Sequence, residues 1–457
     1  MVGVSGVRGR VGDALTPEVV ARFAAAFGAW AAKEAASTMP AGTRAKVVLG
    51  RDSRVSGPMF HRVVVSALQS VGCDIIDIGM VPTPTVQLAV EHHHAAGGLA
   101  ITASHNPIEW NALKFIAPSG LFLDAAQGTA MRQTLDGDIP RATWDILGAV
   151  TEDKDAVARH LERILAIPFL DADAIRRRRF HVALDCVRGA GAVIMPALLD
   201  RLGCKVTAIN METDGRFPRA PEPVPENLGE LEALVKAHGA DIGLAVDPDV
   251  DRLALVSDQG KAIGEDFTLA LAARVVLRHR PGDIVTNLST SRIMEDVAAQ
   301  AGRRVIRAPV GEVNVAVRMR EENAPIGGEG NGGVILSEVH LGRDAPVGAA
   351  LILHLLASEG KPLSQIVAGY PRYSIVKDKL DRPDVPLDGV YEELRKAFPD
   401  AIADTQDGLR LAWADRWVHV RPSGTEPIVR VIAEAPDEAG ARHMILEART
   451  LLDRLAG

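Results

Sequence analysis

Gly98-Leu99-Ala100-Ile101-Thr102-Ala103-Ser104-His105-Asn106-Pro107 sets an unbroken apolar run directly before a polar turn that ends in proline. The run reads as a buried strand. Pro107 cannot extend a central strand and biases Asn106 toward extended geometry, so the chain turns here and Ser104 lies on a strand exit. The same pattern recurs upstream. Lys46-Val47-Val48-Leu49, a helical pattern over 60–71, Asp74-Ile75-Ile76-Asp77-Ile78 and a second helical pattern over 85–94 lead to the quoted run. Such alternation is the sequence sign of parallel βαβ units. It restarts at Phe180-His181-Val182-Ala183-Leu184 and at Asp283-Ile284-Val285-Thr286, after charge-rich stretches at 151–160 and 257–265 that mark domain junctions. From about Pro371 the character changes: strand patterns at 409–413 and 417–420 and an amphipathic helix over 436–455 read as a smaller α+β domain. The expected fold class is α/β, with α/β domains over 1–150, 151–255 and 256–370 and an α+β domain over 371–457. No residue-level internal repeat is visible.

A chain of 457 residues exceeds one compact core, and roughly 150 residues per domain also gives three or four domains. No stretch is long and apolar enough to span a bilayer and no N-terminal signal pattern is present, so a cytoplasmic protein with no membrane partner is expected. Cys73, Cys186 and Cys204 are odd in number and irregularly spaced, which reads as reduced thiols. A formal net charge of -8 argues against a nucleic-acid surface. An anionic substrate must therefore find its positive charge in local arginines.

Asp247-Pro248-Asp249-Val250-Asp251-Arg252 follows the apolar run 242–246, giving three carboxylates at alternate positions on another strand exit. One aspartate at such a turn commonly makes Asx-type backbone bonds, whereas three in alternation supply the hard oxygen donors that suit Mg²⁺. Ser104 alone reads as a helix N-cap; with a cation site in the same chain it reads as a nucleophile. Gly328-Glu329-Gly330-Asn331-Gly332-Gly333 satisfies G-x-G-x-x-G, but a dinucleotide loop opens a helix and this one runs into strand-like Val334-Ile335-Leu336. Arg421-Pro422-Ser423-Gly424-Thr425-Glu426-Pro427, with Arg430 beyond, combines cations, hydroxyls and a glycine amide that suit a phosphate. His92-His93-His94 would point three ways on a helix, so it reads as a solvated helix end rather than a metal cluster.

The order and spacing of these four segments resemble the α-D-phosphohexomutase family essentially from end to end. The resemblance implies a four-domain architecture with three related α/β domains, a smaller fourth domain and an active site in the central cleft. It also implies a phosphoserine at Ser104, which joins Asp247, Asp249 and Asp251 around one Mg²⁺ per chain. Arg252, Glu329 and Asn331 would read the sugar, and Arg421, Ser423, Gly424, Thr425 and Arg430 would grip the non-reacting phosphate. Asn111-Ala112-Leu113-Lys114 matches the family's serine-loop continuation except that alanine replaces glycine, and Gly3-Val4-Ser5-Gly6-Val7-Arg8-Gly9 resembles its N-terminal arginine loop. Arg8 would line the site, and His105 or Lys114 would move the proton. The implied reaction passes a phosphoryl group from Ser104 to a hexose monophosphate, through a bisphosphorylated hexose that turns over in the cleft beneath a movable fourth domain.

The Glu-Gly-Asn-Gly-Gly form of the sugar loop, with an acid in Val310-Gly311-Glu312-Val313-Asn314, resembles an archaeal-type branch assigned largely to phosphoglucosamine mutases. The expected substrates are accordingly glucosamine 6-phosphate and glucosamine 1-phosphate, with phosphomannomutase or phosphoglucomutase activity as the alternative. A metal-dependent sugar phosphatase would not need two phosphate-recognition elements, and a non-catalytic sensor should have lost the serine or a metal ligand. The expected partner is a small hexose phosphate, bound by a monomer or homodimer.

Overall fold

Four sheets follow one another along the chain in a computed structural model that describes residues 3, 6–36, 43–382, 386–423 and 428–456. The first contains β1 (Gly6–Arg10), β2 (Lys46–Arg51), β3 (Asp74–Met80), β4 (Gly97–Ile101), β5 (Trp110–Ile116) and β6 (Val150–Glu152), in the order β1-β5-β4-β2-β3-β6. The second contains β7 (His181–Asp185), β8 (Lys205–Ile209), β9 (Ile242–Val246) and β10 (Leu253–Val256), in the order β10-β9-β7-β8. The third contains β11 (Ile284–Asn287), β12 (Val305–Ala308), β13 (Ile326–Glu329) and β14 (Gly333–Leu336), in the order β12-β11-β13-β14. The expected divisions after residues 150 and 255 thus fall inside β6 and β10.

One topology repeats three times without a repeated sequence. In each unit a first strand pairs in parallel with the second and third, and a fourth strand returns antiparallel to the third. The turn between third and fourth strands carries Ser104 in the first unit, the three aspartates in the second and Gly330-Asn331-Gly332 in the third. Equivalent strand exits therefore deliver three different kinds of chemistry. β4, β9 and β13 are buried along their whole length, which is why the runs of β4 and β9 are continuously apolar rather than alternating.

The helix Ala345–Glu359 is buried from Ala345 through Leu356, and Asp344 caps it by accepting from Val347 N at 3.0 Å. It belongs to one hydrophobic core that takes members from Leu161 to Tyr370, with Leu88 of the first domain at its margin, so the second and third domains share an interior. The fourth sheet holds β15 (Ser374–Asp381), β16 (Ile402–Asp404), β17 (Leu409–Ala412), β18 (Trp417–Pro422) and β19 (Ile428–Ala435), all antiparallel in the order β15-β19-β18-β17-β16. Helices Leu387–Ala397 and Glu438–Ala456 cover it. Among the described residues its core draws only on positions 376 to 452. No helix among the described residues is long and apolar enough to cross a membrane.

Candidate active site

Ser104 is buried and stands in the left-handed region, at φ 47°. A non-glycine residue holds that conformation only where its surroundings enforce it. Here the enforcement is explicit. Ser104 N donates to Thr102 Oγ1 at 2.9 Å, and Thr102 Oγ1 donates to Asp52 Oδ2 at 2.6 Å. Arg54, fully buried over the Phe217 ring, donates to the carbonyls of Ser104, Asn106, Pro107 and Trp110 at 2.6–2.8 Å. Three carbonyls of the serine loop and that of Trp110 at the start of β5 thus converge on one guanidinium. Ser104 Oγ donates to Asp247 Oδ2 at 2.7 Å, and His105 Nδ1 lies 3.4 Å from the same hydroxyl.

Asp247, Asp249 and Asp251 are buried, with ligand oxygens within 4.8 Å of one another. Val250 between them has φ 64°, an unfavourable conformation for a β-branched residue, and it turns successive carboxylates inward. Burial and the two neighbouring aspartates push Asp247 well above the usual carboxylate range. For Asp249 burial would do the same, but Lys114, whose Nζ is 2.7 Å from Oδ2, holds it well below. Thr83 Oγ1 donates to that oxygen at 2.6 Å. Asp249 Oδ1 and Asp251 Oδ1 are buried and accept no hydrogen bond. Buried carboxylate oxygens that accept no hydrogen bond, beside a carboxylate that resists ionisation, are what an oxygen-preferring cation would neutralise, so these residues fit a divalent metal.

Lys114 lies on β5, where the register sets Arg8 of β1 opposite Ala112 and therefore on the face that Lys114 shares. Arg8 Nη1 reaches Asn106 Oδ1 at 3.5 Å. Ala112, the departure from the family pattern, is an ordinary strand residue without positive φ, so no glycine is required there. Burial would lower Lys114, but Asp249 and Asp251 outweigh it and raise the ammonium above its ordinary value. Burial, with Arg252 and Arg343 nearby, pushes His105 well below the usual imidazole value. The two candidates are thus shifted in opposite directions, Lys114 toward its charged form and His105 toward its neutral one.

The sugar-loop residues join this cluster directly. Leu253 N, just past the aspartates, donates to Gly332 O at 3.0 Å, and Gly332, at φ 86°, sits so close to the Leu253 backbone that a Cβ has no room. Arg343 donates to Asp251, Glu329 and Glu312. Glu329 also accepts from Asn287 Nδ2 at 2.8 Å, Gly311 N at 3.1 Å and Asn331 Nδ2 at 3.4 Å. Each of its two oxygens thus accepts two protein donors, of which Asn331 Nδ2 is the most distant. Arg252 Nη1 pairs with Glu222 Oε1 at 2.9 Å. On the fourth sheet Arg421 lies opposite Arg430 and donates from Nε to Asp407 Oδ2 at 2.9 Å, while Ser423 N donates to Ile428 O at 2.9 Å. Gly424 and Thr425 lie outside the described residues.

Comparison with known proteins bears on the whole chain. Family models described as phosphoglucomutase/phosphomannomutase match four times: α/β/α domain I over residues 1–138, domain II over 158–260, domain III over 264–373 and the C-terminal domain over 382–450. A probable phosphoglucosamine mutase of Methanopyrus kandleri is 40% identical over 97% of this chain and 95% of its own length. The chain belongs to the α-D-phosphohexomutase family. A phosphoglucomutase/phosphomannomutase of Thermococcus kodakarensis is 39% identical over 100% of this chain and 99% of its own. The crystal structure of a phosphoglucomutase/phosphomannomutase family protein from Burkholderia thailandensis superposes with a TM-score of 0.83 at 27% identity, covering 99% of this chain and 98% of that one. The four-domain phosphohexomutase architecture expected from the sequence is the one observed.

Sequence reasoning about this phosphohexomutase missed Asp52, Arg54, Thr83, Arg343 and Asp407. One signal was available: Arg51-Asp52-Ser53-Arg54 leaves the buried strand β2 as the serine loop leaves β4, and β2 and β4 are paired neighbours. The histidine run closes the helix Thr83–His92, with His93 Nε2 2.7 Å from Asp153 Oδ2. Among the described residues only the three aspartates gather as a metal-binding group. The cysteines are free thiols.

Proposed function

We propose that this phosphohexomutase interconverts glucosamine 6-phosphate and glucosamine 1-phosphate by way of a phosphoserine at Ser104 and a bisphosphorylated sugar. The observation that carries this reading is Ser104 Oγ, buried on a strained turn and 2.7 Å from Asp247 of the aspartate cluster. Asp247, Asp249 and Asp251, with Ser104, would hold one Mg²⁺. When bound, that ion neutralises charge on the phosphoryl group in transfer.

In the forward half-reaction the P–O bond to Ser104 Oγ breaks as a new one forms to the free hydroxyl of the sugar monophosphate. His105, held neutral at pH 7 by its burial, accepts the hydroxyl proton. Lys114, held cationic by Asp249 and Asp251, faces the charge that develops. The sugar then turns over, its other phosphate returns to Ser104, and His105 gives the proton back. Arg421, Ser423, Gly424, Thr425 and Arg430 grip whichever phosphate is not reacting, so remote binding energy orients the reacting end. Glu329, Asn331 and Arg252 read the sugar, and Arg8 braces the serine turn through Asn106.

The choice of sugar is supported by the Methanopyrus relative, which spans the same length. Phosphoglucomutase or phosphomannomutase activity is the second reading, favoured by the Thermococcus relative of nearly equal identity. Turnover of glucosamine, glucose and mannose 6-phosphates with Mg²⁺ and the matching 1,6-bisphosphate separates the two. Highest kcat/KM on glucosamine 6-phosphate is expected. Preference for glucose or mannose would transfer the assignment to the second reading, and steady release of inorganic phosphate would replace both with a phosphatase.

A further inference from the structure

Arg343 has no part in the mechanism above, yet it is the cation most deeply tied into the site. It is buried on the loop after β14, and its guanidinium is divided among three carboxylates: Asp251 on a loop, Glu329 at the end of β13 and Glu312 at the start of the helix Glu312–Glu322. Nη2 donates to Asp251 Oδ2 at 2.6 Å, Nη1 to Glu329 Oε2 at 2.7 Å and Nε to Glu312 Oε2 at 3.0 Å. Arg343 N also donates to Glu312 Oε1 at 3.2 Å.

The backbone behind it is fixed. Asp344 Oδ2 lies 2.7 Å from His160 Nε2 and 3.0 Å from His340 Nε2, and Thr85 Oγ1 lies 2.8 Å from His160 Nδ1. Asp344 Oδ1 caps the following helix. With the main chain anchored on both oxygens of Asp344, the guanidinium has a fixed origin and a planar fork of donors. Asp251 is consequently split: Oδ2 is engaged by Arg343, and Oδ1 has no hydrogen-bond partner.

We propose that Arg343 is a positioning residue that links the cation site to the sugar loop, holding Asp251 for the metal and Glu329 for the sugar with one guanidinium. A partner of this kind behind a metal-ligating carboxylate sets metal affinity, and its removal typically costs about 10–100-fold. Because one guanidinium serves both carboxylates, loss of the charge at Glu329 releases one arm of the fork and loosens its hold on Asp251. Glu329, on a different domain from the aspartates, therefore acts on the cation at a distance.

The inference rests on reading the aspartates as a cation site, and its test needs neither sugar nor turnover. Mn²⁺ is titrated by electron paramagnetic resonance into the full-length protein and into Arg343→Gln, Glu329→Gln and the double variant. Arg343→Gln should weaken Mn²⁺ about 10–100-fold. Glu329→Gln should weaken it severalfold in the unaltered background and not at all in the Arg343→Gln background. Should Arg343→Gln fail to fold by calorimetry, Arg343→Lys replaces it, since a single ammonium cannot span three carboxylates. Mn²⁺ affinity within twofold of the parent for the Arg343 variant, or an equal Glu329→Gln effect in both backgrounds, overturns the linkage alone. No Mn²⁺ binding by the unaltered protein overturns the cation-site reading and this inference with it.

Discussion

The serine, aspartate and sugar loops and the phosphate loop are held in place by different means. The first three leave buried strands of units whose second and third members share one core, and they are tied by buried and part-buried charged contacts: Lys114 to Asp249, Arg343 to Asp251 and Glu329, and Arg54 to the carbonyls of the serine turn. The phosphate loop sits on a sheet with its own core, joined to the third domain through polar groups. Ser289 Oγ lies 2.8 Å from His419 Nδ1, Arg292 N donates to Glu434 Oε2 at 2.8 Å, Ser291 Oγ donates to Glu434 Oε1, and Val310 N donates to Asp407 Oδ2 at 3.0 Å. Glu434 is fully buried there, and Trp417 Nε1 donates to it at 2.6 Å. Polar junctions of this kind let domains move relative to one another, whereas a shared apolar core does not. The fourth domain is therefore the freer to move, while the first, which carries Ser104 on a core of its own, is tied to the aspartate loop through Ser104, Thr83 and Lys114.

The sharpest test of that contrast is Ser104→Ala, which should lower kcat by at least roughly a thousandfold with little change in Tm. If an equal loss followed from a change confined to the fourth domain, the two regions would not be separable in function. Next come matched core cuts, Leu351→Ala in the shared core and Leu411→Ala in the fourth domain, each costing about 2–5 kcal/mol. Calorimetry with Mn²⁺ titration should show Leu411→Ala melting early as a separate transition with metal binding intact, while Leu351→Ala lowers stability and metal binding together. A single shared transition in both variants would join the regions that the cores divide.

A third test lies at the junction. Asp266 accepts from Ser291 N at 2.9 Å, and burial, with Glu434 and Glu265 nearby, pushes its carboxyl up to about 7. Because its folded value lies above its unfolded one of 3.8, its contribution is fully present below about pH 4 and is lost as pH rises through about 7, at most roughly 4 kcal/mol. Asp266→Asn should flatten stability between those pH values, read from urea melts at pH 4, 5.5 and 7.5. An unchanged slope would assign the pH dependence elsewhere. The smallest effect is expected at Arg421→Lys, which loses the planar fork: KM for the sugar phosphate should rise about tenfold with kcat within a few-fold. A change in kcat alone would instead place Arg421 with the reacting groups.

Much of this molecule was legible in its sequence because its strands are short, buried and locally encoded. The runs at β4 and β9 announce both the sheet and the exits that carry Ser104 and the three aspartates, and their periodicity needs no knowledge of the partner strand. Arg54 and Arg343 were not legible. Each is a charged residue in a polar connection, where solvation is the ordinary reading, and each is buried only because carbonyls or carboxylates distant in sequence converge on it. Glu329 shows the same limit from the other side: its acidity and glycine flanks marked it as a site residue, but the saturation of its carboxylate by Arg343, Asn287, Gly311 and Asn331 depends on four separate segments.

The sequence by itself determined the order of domains, the strand exits and the kinds of group placed on them, since hydrophobic periodicity and turn chemistry act over a few residues. Only the tertiary structure decided that three of those exits share one topological position, that the second and third domains share a core while the fourth does not, and that burial and neighbouring charges shift His105 and Lys114 in opposite directions. Those outcomes follow from burial and from charges brought within a few ångströms across the sheets, and such distances exist only once the chain has folded.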